Sequence, residues 1–248
     1  MDPPEPTPTR RSAVHATSAP ARDSDTVPAL ARSWWWGLAL YAVVSAVHIG
    51  ALAAGAADVS GPTKLALMPA LALAVVWAAR GARWRPAHTL LVAAIVLSWL
   101  GDGAHTFFPF LDDELPAMLL CFGLAHIAYI VLFQRHLAVR RMPWWALVYA
   151  AWWIALIAIL WPHLGGLAIA VAVYGLVLGG TAASSTRCHP LVVWGGALFL
   201  ASDSILAFLI FTPDAMPVWA DPLVMLTYCA GQGLIATGAV IALRRAAR

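Results

Sequence analysis

Eight apolar runs divide this sequence, at about 34–54, 62–79, 86–107, 115–136, 143–161, 164–184, 190–211 and 222–243. Each is close to the roughly 20 residues that an α-helix needs to cross a bilayer. In lipid a backbone must satisfy its own hydrogen bonds, so runs of this kind fold as helices. The composition agrees, with 62% hydrophobic and only 11% charged residues, where soluble domains have about 25% charged. The fold class expected is therefore all-α, a polytopic integral membrane protein of eight transmembrane helices over residues 33–245. Residues 1–32, rich in Pro, Ala, Ser, Thr and Arg and without apolar periodicity, are expected to form a disordered cytoplasmic tail. They do not read as a signal peptide, because no short apolar segment directly follows a basic start.

Charge orients the bundle. All fourteen arginines precede the first run, follow the last, or lie at the ends of runs 2, 4 and 6 and in the gaps after them. The opposite gaps hold Asp58, Asp112, Asp113, Glu114, Asp214 and Asp221. The positive-inside rule then places both termini in the cytoplasm, and the expected location is the plasma membrane. The rule also accounts for the net charge of +3 without a nucleic-acid partner. Most tryptophans, among them Trp84, Trp144, Trp145, Trp152 and Trp153, read as interfacial belt or lipid-facing residues. Cys121, Cys188 and Cys229 share no metal or redox spacing and read as packing residues.

Two acids break the apolar pattern. Asp102 ends S-W-L-G-D at 98–102, and Asp203 ends F-L-A-S-D at 199–203. A carboxylate at membrane depth costs about 2.5 kcal/mol or more and is usually paired or functional. Both lie in outward-running helices that start at or beside a proline, Pro86 and Pro190, so both are expected in the outer half of the membrane. That correspondence suggests a 4+4 internal repeat of parallel topology. Further polar residues lie at similar depth. His126 and Tyr129 share one face of run 4, Tyr228 and Gln232 share one face of run 8, and Tyr174 lies within run 6. Lys64, the single lysine, lies at the outer end of run 2 and either snorkels to the headgroups or meets an anion. Together these residues are expected to line one polar cavity opening to the outer leaflet. His105, three residues after Asp102, is a candidate partner for it, and His48 reads as an interfacial or packing residue. The acids at 112–114 read as a solvated loop. No HExxH, G-x-S-x-G, P-loop or dinucleotide fingerprint is present, so neither a metal nor an organic cofactor is expected.

In order along the chain, K-L-A-L-M-P at 64–69, S-W-L-G-D, F-G-L-A-H-I-A-Y at 122–129, V-Y-G around Tyr174, G-A-L-F-L-A-S-D at 196–203 and Y-C-A-G-Q at 228–232 resemble the YhhN-like membrane proteins, which include the lysoplasmalogenases. The resemblance spans residues 34–243. It implies an eight-helix membrane fold that hydrolyses the vinyl-ether bond of lysoplasmalogens to a fatty aldehyde and glycerophospho-ethanolamine or -choline. It implies Asp102 and Asp203 as the catalytic pair.

The residues suit that chemistry. A vinyl ether hydrolyses through protonation of its β-carbon to an oxocarbenium ion, which needs one acid and one carboxylate. Two buried carboxyls near one another favour holding a single proton between them, and a coupled pair shares the two roles until something distinguishes its members. Lys64, His126, Tyr129, Tyr174, Tyr228 and Gln232 are the expected substrate-binding residues, with Lys64 for the phosphate of a lysophospholipid-like amphiphile drawn from membrane lipid. The rival reading is a proton-coupled transporter or lipid flippase, which also uses intramembrane acids. A third reading has the acids serving assembly alone.

Overall fold

The computed structural model describes residues 35–80 and 83–246; the tail expected over 1–32 lies outside them. The described chain is an all-helical bundle: α1 (Trp36–Ala53), α2 (Ala57–Ala79), α3 (Pro86–Asp102), α4 (Leu115–Leu132), α5 (Val148–Leu160), α6 (Ala168–Ser185), α7 (Pro190–Phe211) and α8 (Ala220–Arg245). Seven of these, counting the short turns that extend α4, α5 and α6, are long and apolar enough to cross a membrane; α3 is apolar but shorter. The chain is thus a multi-pass membrane protein of seven to eight spanning helices.

The departure at α3 is a correction. The third run was expected to be one helix over 86–107. It stops at Asp102, Gly103 breaks the geometry, and a single further turn covers Ala104–Phe107. Asp102 is consequently the last residue of its helix rather than an interior one. The starts of α3 and α7 follow the proline signal. Pro86 and Pro190 occupy the first helical turn, where a missing N–H costs nothing. His88 Nδ1 accepts from the Arg85 amide (3.1 Å) and His189 Nδ1 from the Leu191 amide (3.3 Å).

The arginines do more than face headgroups. The Arg85 guanidinium donates to the Ala246 carbonyl at 3.2 and 3.3 Å, Arg140 to the Thr186 carbonyl at 2.6 Å, and Arg187 to the Arg140 carbonyl at 3.2 Å. These bonds tie together helix ends distant in sequence.

Above that end lies a dry layer. Leu71, Leu91, Ile95, Leu132, Phe133 and Ile235 are all fully buried. The helices α7 and α8 are pressed together at Gly195 and Gly231. A Cβ on Gly195 would come within 2.8 Å of the Gly231 carbonyl oxygen, and one on Gly231 within 2.9 Å of the Phe199 amide nitrogen. This backbone approach sets the Phe199 ring of α7 5.3 Å from the Tyr228 ring of α8 and lets Ser202 donate to the Val224 carbonyl at 2.9 Å.

Pro69, inside α2, has no N–H to give the Leu65 carbonyl one turn earlier. The Trp99 indole supplies the missing donor, at 2.9 Å. K-L-A-L-M-P and S-W-L-G-D therefore meet through a backbone defect in one and an indole in the other. Trp152 and Trp153 correct the belt reading. Both are partly buried, and their indoles bond Ser204 Oγ (3.1 Å) and the Ala172 carbonyl (2.9 Å). Trp84, Trp144 and Trp145 are exposed.

Candidate functional site

On the far side of the apolar layer from the arginines, the polar residues gather into two hydrogen-bonded groups. The first is a directed chain. Tyr129 donates to Gln232 Oε1 at 2.5 Å. Gln232 Nε2 donates to Ser98 Oγ at 3.1 Å and approaches Tyr228 Oη at 3.5 Å. Tyr228 donates to Asp102 Oδ2 at 2.7 Å. Tyr129, Gln232 and Ser98 are each 0% exposed, so the links among them are made out of competition with water and cannot be lost cheaply. Four side chains from α3, α4 and α8 thus converge on Asp102.

The second group is built on Asp203. Tyr174, from α6, donates a short hydrogen bond to Asp203 Oδ2. His126 Nε2, from α4, lies 3.7 Å from the same oxygen and 3.4 Å from Tyr174 Oη. His126 is itself fully buried, and its Nδ1 has no partner among the described residues. An unpaired buried nitrogen of this kind costs about 1–3 kcal/mol, a strain concentrated at the second acid.

The groups adjoin. Phe199, one turn before Asp203, has its ring 4.7 Å from His126 and 5.3 Å from Tyr228 between centroids. Phe122 closes on the same rings, 6.5 Å from Phe199 and 6.1 Å from Tyr228. In each carboxyl a tyrosine holds Oδ2, while Oδ1 takes no hydrogen bond from another described residue. An acid and a base both need such an open oxygen.

Asp102, Asp203, His126, Tyr129, Tyr174, Tyr228 and Gln232 are therefore brought together. Lys64 stands apart from the hydrogen bonds, half-buried on α2. A single cavity shared by all eight residues was expected. Among these residues, Asp203 and Tyr174 border a cleft of about 40 Å³ with Phe122 and apolar side chains of α4, α6 and α7, and Asp102 is not in its wall.

His105 is not the partner of Asp102. The break at Gly103 cancels the helical i+3 relation, and His105 lies at the surface with Nδ1 3.6 Å from Glu114 Oε1. Asp112 and Asp113 are exposed, in keeping with a solvated loop. His48 is 1% exposed and bonds Thr63 Oγ1 at 3.0 Å, a packing role. Two contributors went unassigned in the sequence, Ser98 and Phe199. Each lies four residues before its aspartate, on the same helical face, and that spacing was the available signal.

No curated protein and no solved structure matches the chain. The YhhN family model matches residues 60–239, which contain both aspartates and every partner just described, and the chain belongs to the YhhN family.

Proposed function

We propose that the protein is a membrane hydrolase that cleaves the vinyl-ether bond of a lysoplasmalogen, yielding a fatty aldehyde and glycerophospho-ethanolamine or -choline. The observation that carries this reading is the pair of carboxyls. Each is anchored through one oxygen and open at the other, and Phe199 packs between their partners His126 and Tyr228. One protonated carboxyl delivers its proton to the β-carbon as the C=C π bond breaks. The other carboxylate stabilises the oxocarbenium ion and takes a proton from the water that adds to the α-carbon. The hemiacetal then collapses, the C–O bond to glycerol breaks, and the glycerol oxygen leaves with a proton. Glycosidases use paired carboxyls on the same kind of cation. Positioned general acid catalysis contributes about 10²–10⁴ in rate.

Tyr174 and Tyr228 fix the two carboxyls, and Gln232, Tyr129 and His126 hold the tyrosines and the second acid in register. Lys64 would meet the lipid phosphate. In this reading both termini are cytoplasmic, and the substrate arrives from the outer leaflet of the plasma membrane. A carrier using the same acids would need a hydrated route to the arginine-rich end. The fully buried layer of Leu71, Leu91, Ile95, Leu132, Phe133 and Ile235 favours the hydrolase.

The test is aldehyde release from an alkenyl lysophospholipid by purified protein in detergent. Release by the wild type, lost in Asp102→Asn and Asp203→Asn proteins that remain folded, supports the reading. Full release in both variants overturns the mechanism, and proton-coupled uptake without hydrolysis supports the carrier.

A further inference from the structure

We propose that the cleft between α4, α6 and α7 is the subsite for the hydrocarbon chain of the amphiphile, and that it makes Asp203 the proton donor to carbon. This rests on the hydrolase reading above. The walls of the cleft are apolar, with Leu119, Val171, Ala207 and Phe211 among them, and its polar groups are Asp203 and the Tyr174 hydroxyl bound to it. An apolar passage ending on one carboxyl suits a chain that carries a reactive group at its head. It does not suit a charged headgroup, whose desolvation nothing there would offset. At about 40 Å³ the cleft holds little more than a water or two, so a chain takes its place by parting the side chains that line it.

The order of atoms in the substrate then separates the two aspartates. From the tail inward come the alkyl chain, the β-carbon, the α-carbon, the ether oxygen, glycerol and phosphate. A chain lying in the cleft brings the β-carbon first to Asp203, which borders it. The α-carbon and ether oxygen lie beyond, toward Asp102, which is outside the cleft wall. The Asp203 carboxyl transfers its proton to the β-carbon, and the π electrons form the new C–H bond. The Asp102 carboxylate takes a proton from the water that attacks the α-carbon, and returns it to the glycerol oxygen as that C–O bond breaks. The hemiacetal hydroxyl proton passes to Asp203, which restores the starting state. One water is consumed, and no redox partner is needed.

The chain subsite is tested without turnover, by photo-crosslinking an acyl lysophosphatidylcholine that carries a diazirine in its chain. Adducts on residues 115–122 and 206–211, reduced about tenfold or more in Ala207→Trp, the scale that even one methylene carries in an apolar pocket, support the subsite. Ala207→Leu, a gentler filling, should give an intermediate loss in a protein with wild-type thermal stability. Adducts confined to other helices, or labelling indifferent to both substitutions, overturn it. The assignment of roles is tested by chemical rescue, following consumption of the vinyl ether. Azide or formate should restore Asp102→Gly, because a strong nucleophile needs no base, and should leave Asp203→Gly inactive, because carbon still lacks a proton donor. Rescue of Asp203→Gly, or of neither variant, overturns the assignment. A wild-type protein that consumes no vinyl ether but shows the crosslinks refutes the hydrolase reading while leaving the subsite standing.

Discussion

Asp102 and Asp203 are the same residue in two different mountings. Asp102 is the last residue of the 17-residue α3, at a helix C-terminus, the unfavourable end for an anion. It is held by one tyrosine, backed by a fully connected chain through Gln232 to Tyr129 and Ser98. Asp203 lies inside the 22-residue α7 and has two neighbours, Tyr174 and His126, behind which His126 Nδ1 has nothing to bond. Behind the carboxyl, the first mounting pairs its polar side chains with one another and the second leaves His126 Nδ1 wanting. Fully satisfied buried networks make a site rigid, whereas an unpaired group is a cost retained at a site in use.

The largest effects should come from the acids themselves. Asp203→Asn and Asp102→Asn should each lower kcat for aldehyde release by about 10²–10⁴, the range of a positioned acid or base. Retained activity in either one would show that a single carboxyl suffices and that the two mountings serve different ends. The tyrosines come next. Each donates to a carboxyl, a bond worth about 1.5–3 kcal/mol. Tyr228→Phe leaves Asp102 with no side-chain donor, while Tyr174→Phe leaves Asp203 with His126 at 3.7 Å. The expected order in kcat is therefore Tyr228→Phe below Tyr174→Phe below wild type. The reverse order would mean that His126 does not serve Asp203.

That difference between the mountings lies beyond what the sequence alone specifies. The helices, the arginine-rich end and the shared faces of His126 with Tyr129 and Tyr228 with Gln232 are all local properties of spacing and charge. They needed only the 3.6-residue period and the cost of charge in lipid. Which tyrosine serves which aspartate is a matter of register between helices. Tyr228 and Asp102 are 126 residues apart, and no local rule pairs them. His105 misled for the opposite reason. The i+3 rule was local and sound, but it presumes an unbroken helix, and Gly103 breaks this one. The Trp99 bond was hidden likewise, because a proline's missing donor can be supplied by any nearby helix.

Stability should separate the mountings in a different order from activity. Gln232→Leu strips Tyr129 of its acceptor and Tyr228 of its support, where both tyrosines are buried. It should destabilise the protein by about 1–3 kcal/mol, seen as a lower midpoint in detergent thermal denaturation. His126→Phe should not. It removes the unpaired Nδ1 and keeps a ring against Phe199, now 4.7 Å away. The expected outcome is a midpoint unchanged or raised, with activity lowered. A fall as large as that of Gln232→Leu would show that His126 is satisfied by something the described side chains do not include.

The smallest effect probes how the end of α3 is held. Trp99 lies three residues before Asp102, and its indole completes the Leu65 carbonyl that Pro69 leaves open. Asp203, inside a continuous helix, needs no such brace. Trp99→Phe keeps most of the ring's packing, including its place 4.7 Å from Phe107, and removes the donor. The loss should be about 1 kcal/mol, the usual net value of one hydrogen bond. Pro69→Ala should compensate, because an alanine amide can reach the Leu65 carbonyl from within α2. The double-mutant cycle should show that Trp99→Phe costs less in the Pro69→Ala background than alone, a coupling of about 0.5–1 kcal/mol between contacting groups. If the two substitutions simply add, the indole is not repairing the proline defect. The position of Asp102 would then rest on Tyr228 and on the ring's packing alone.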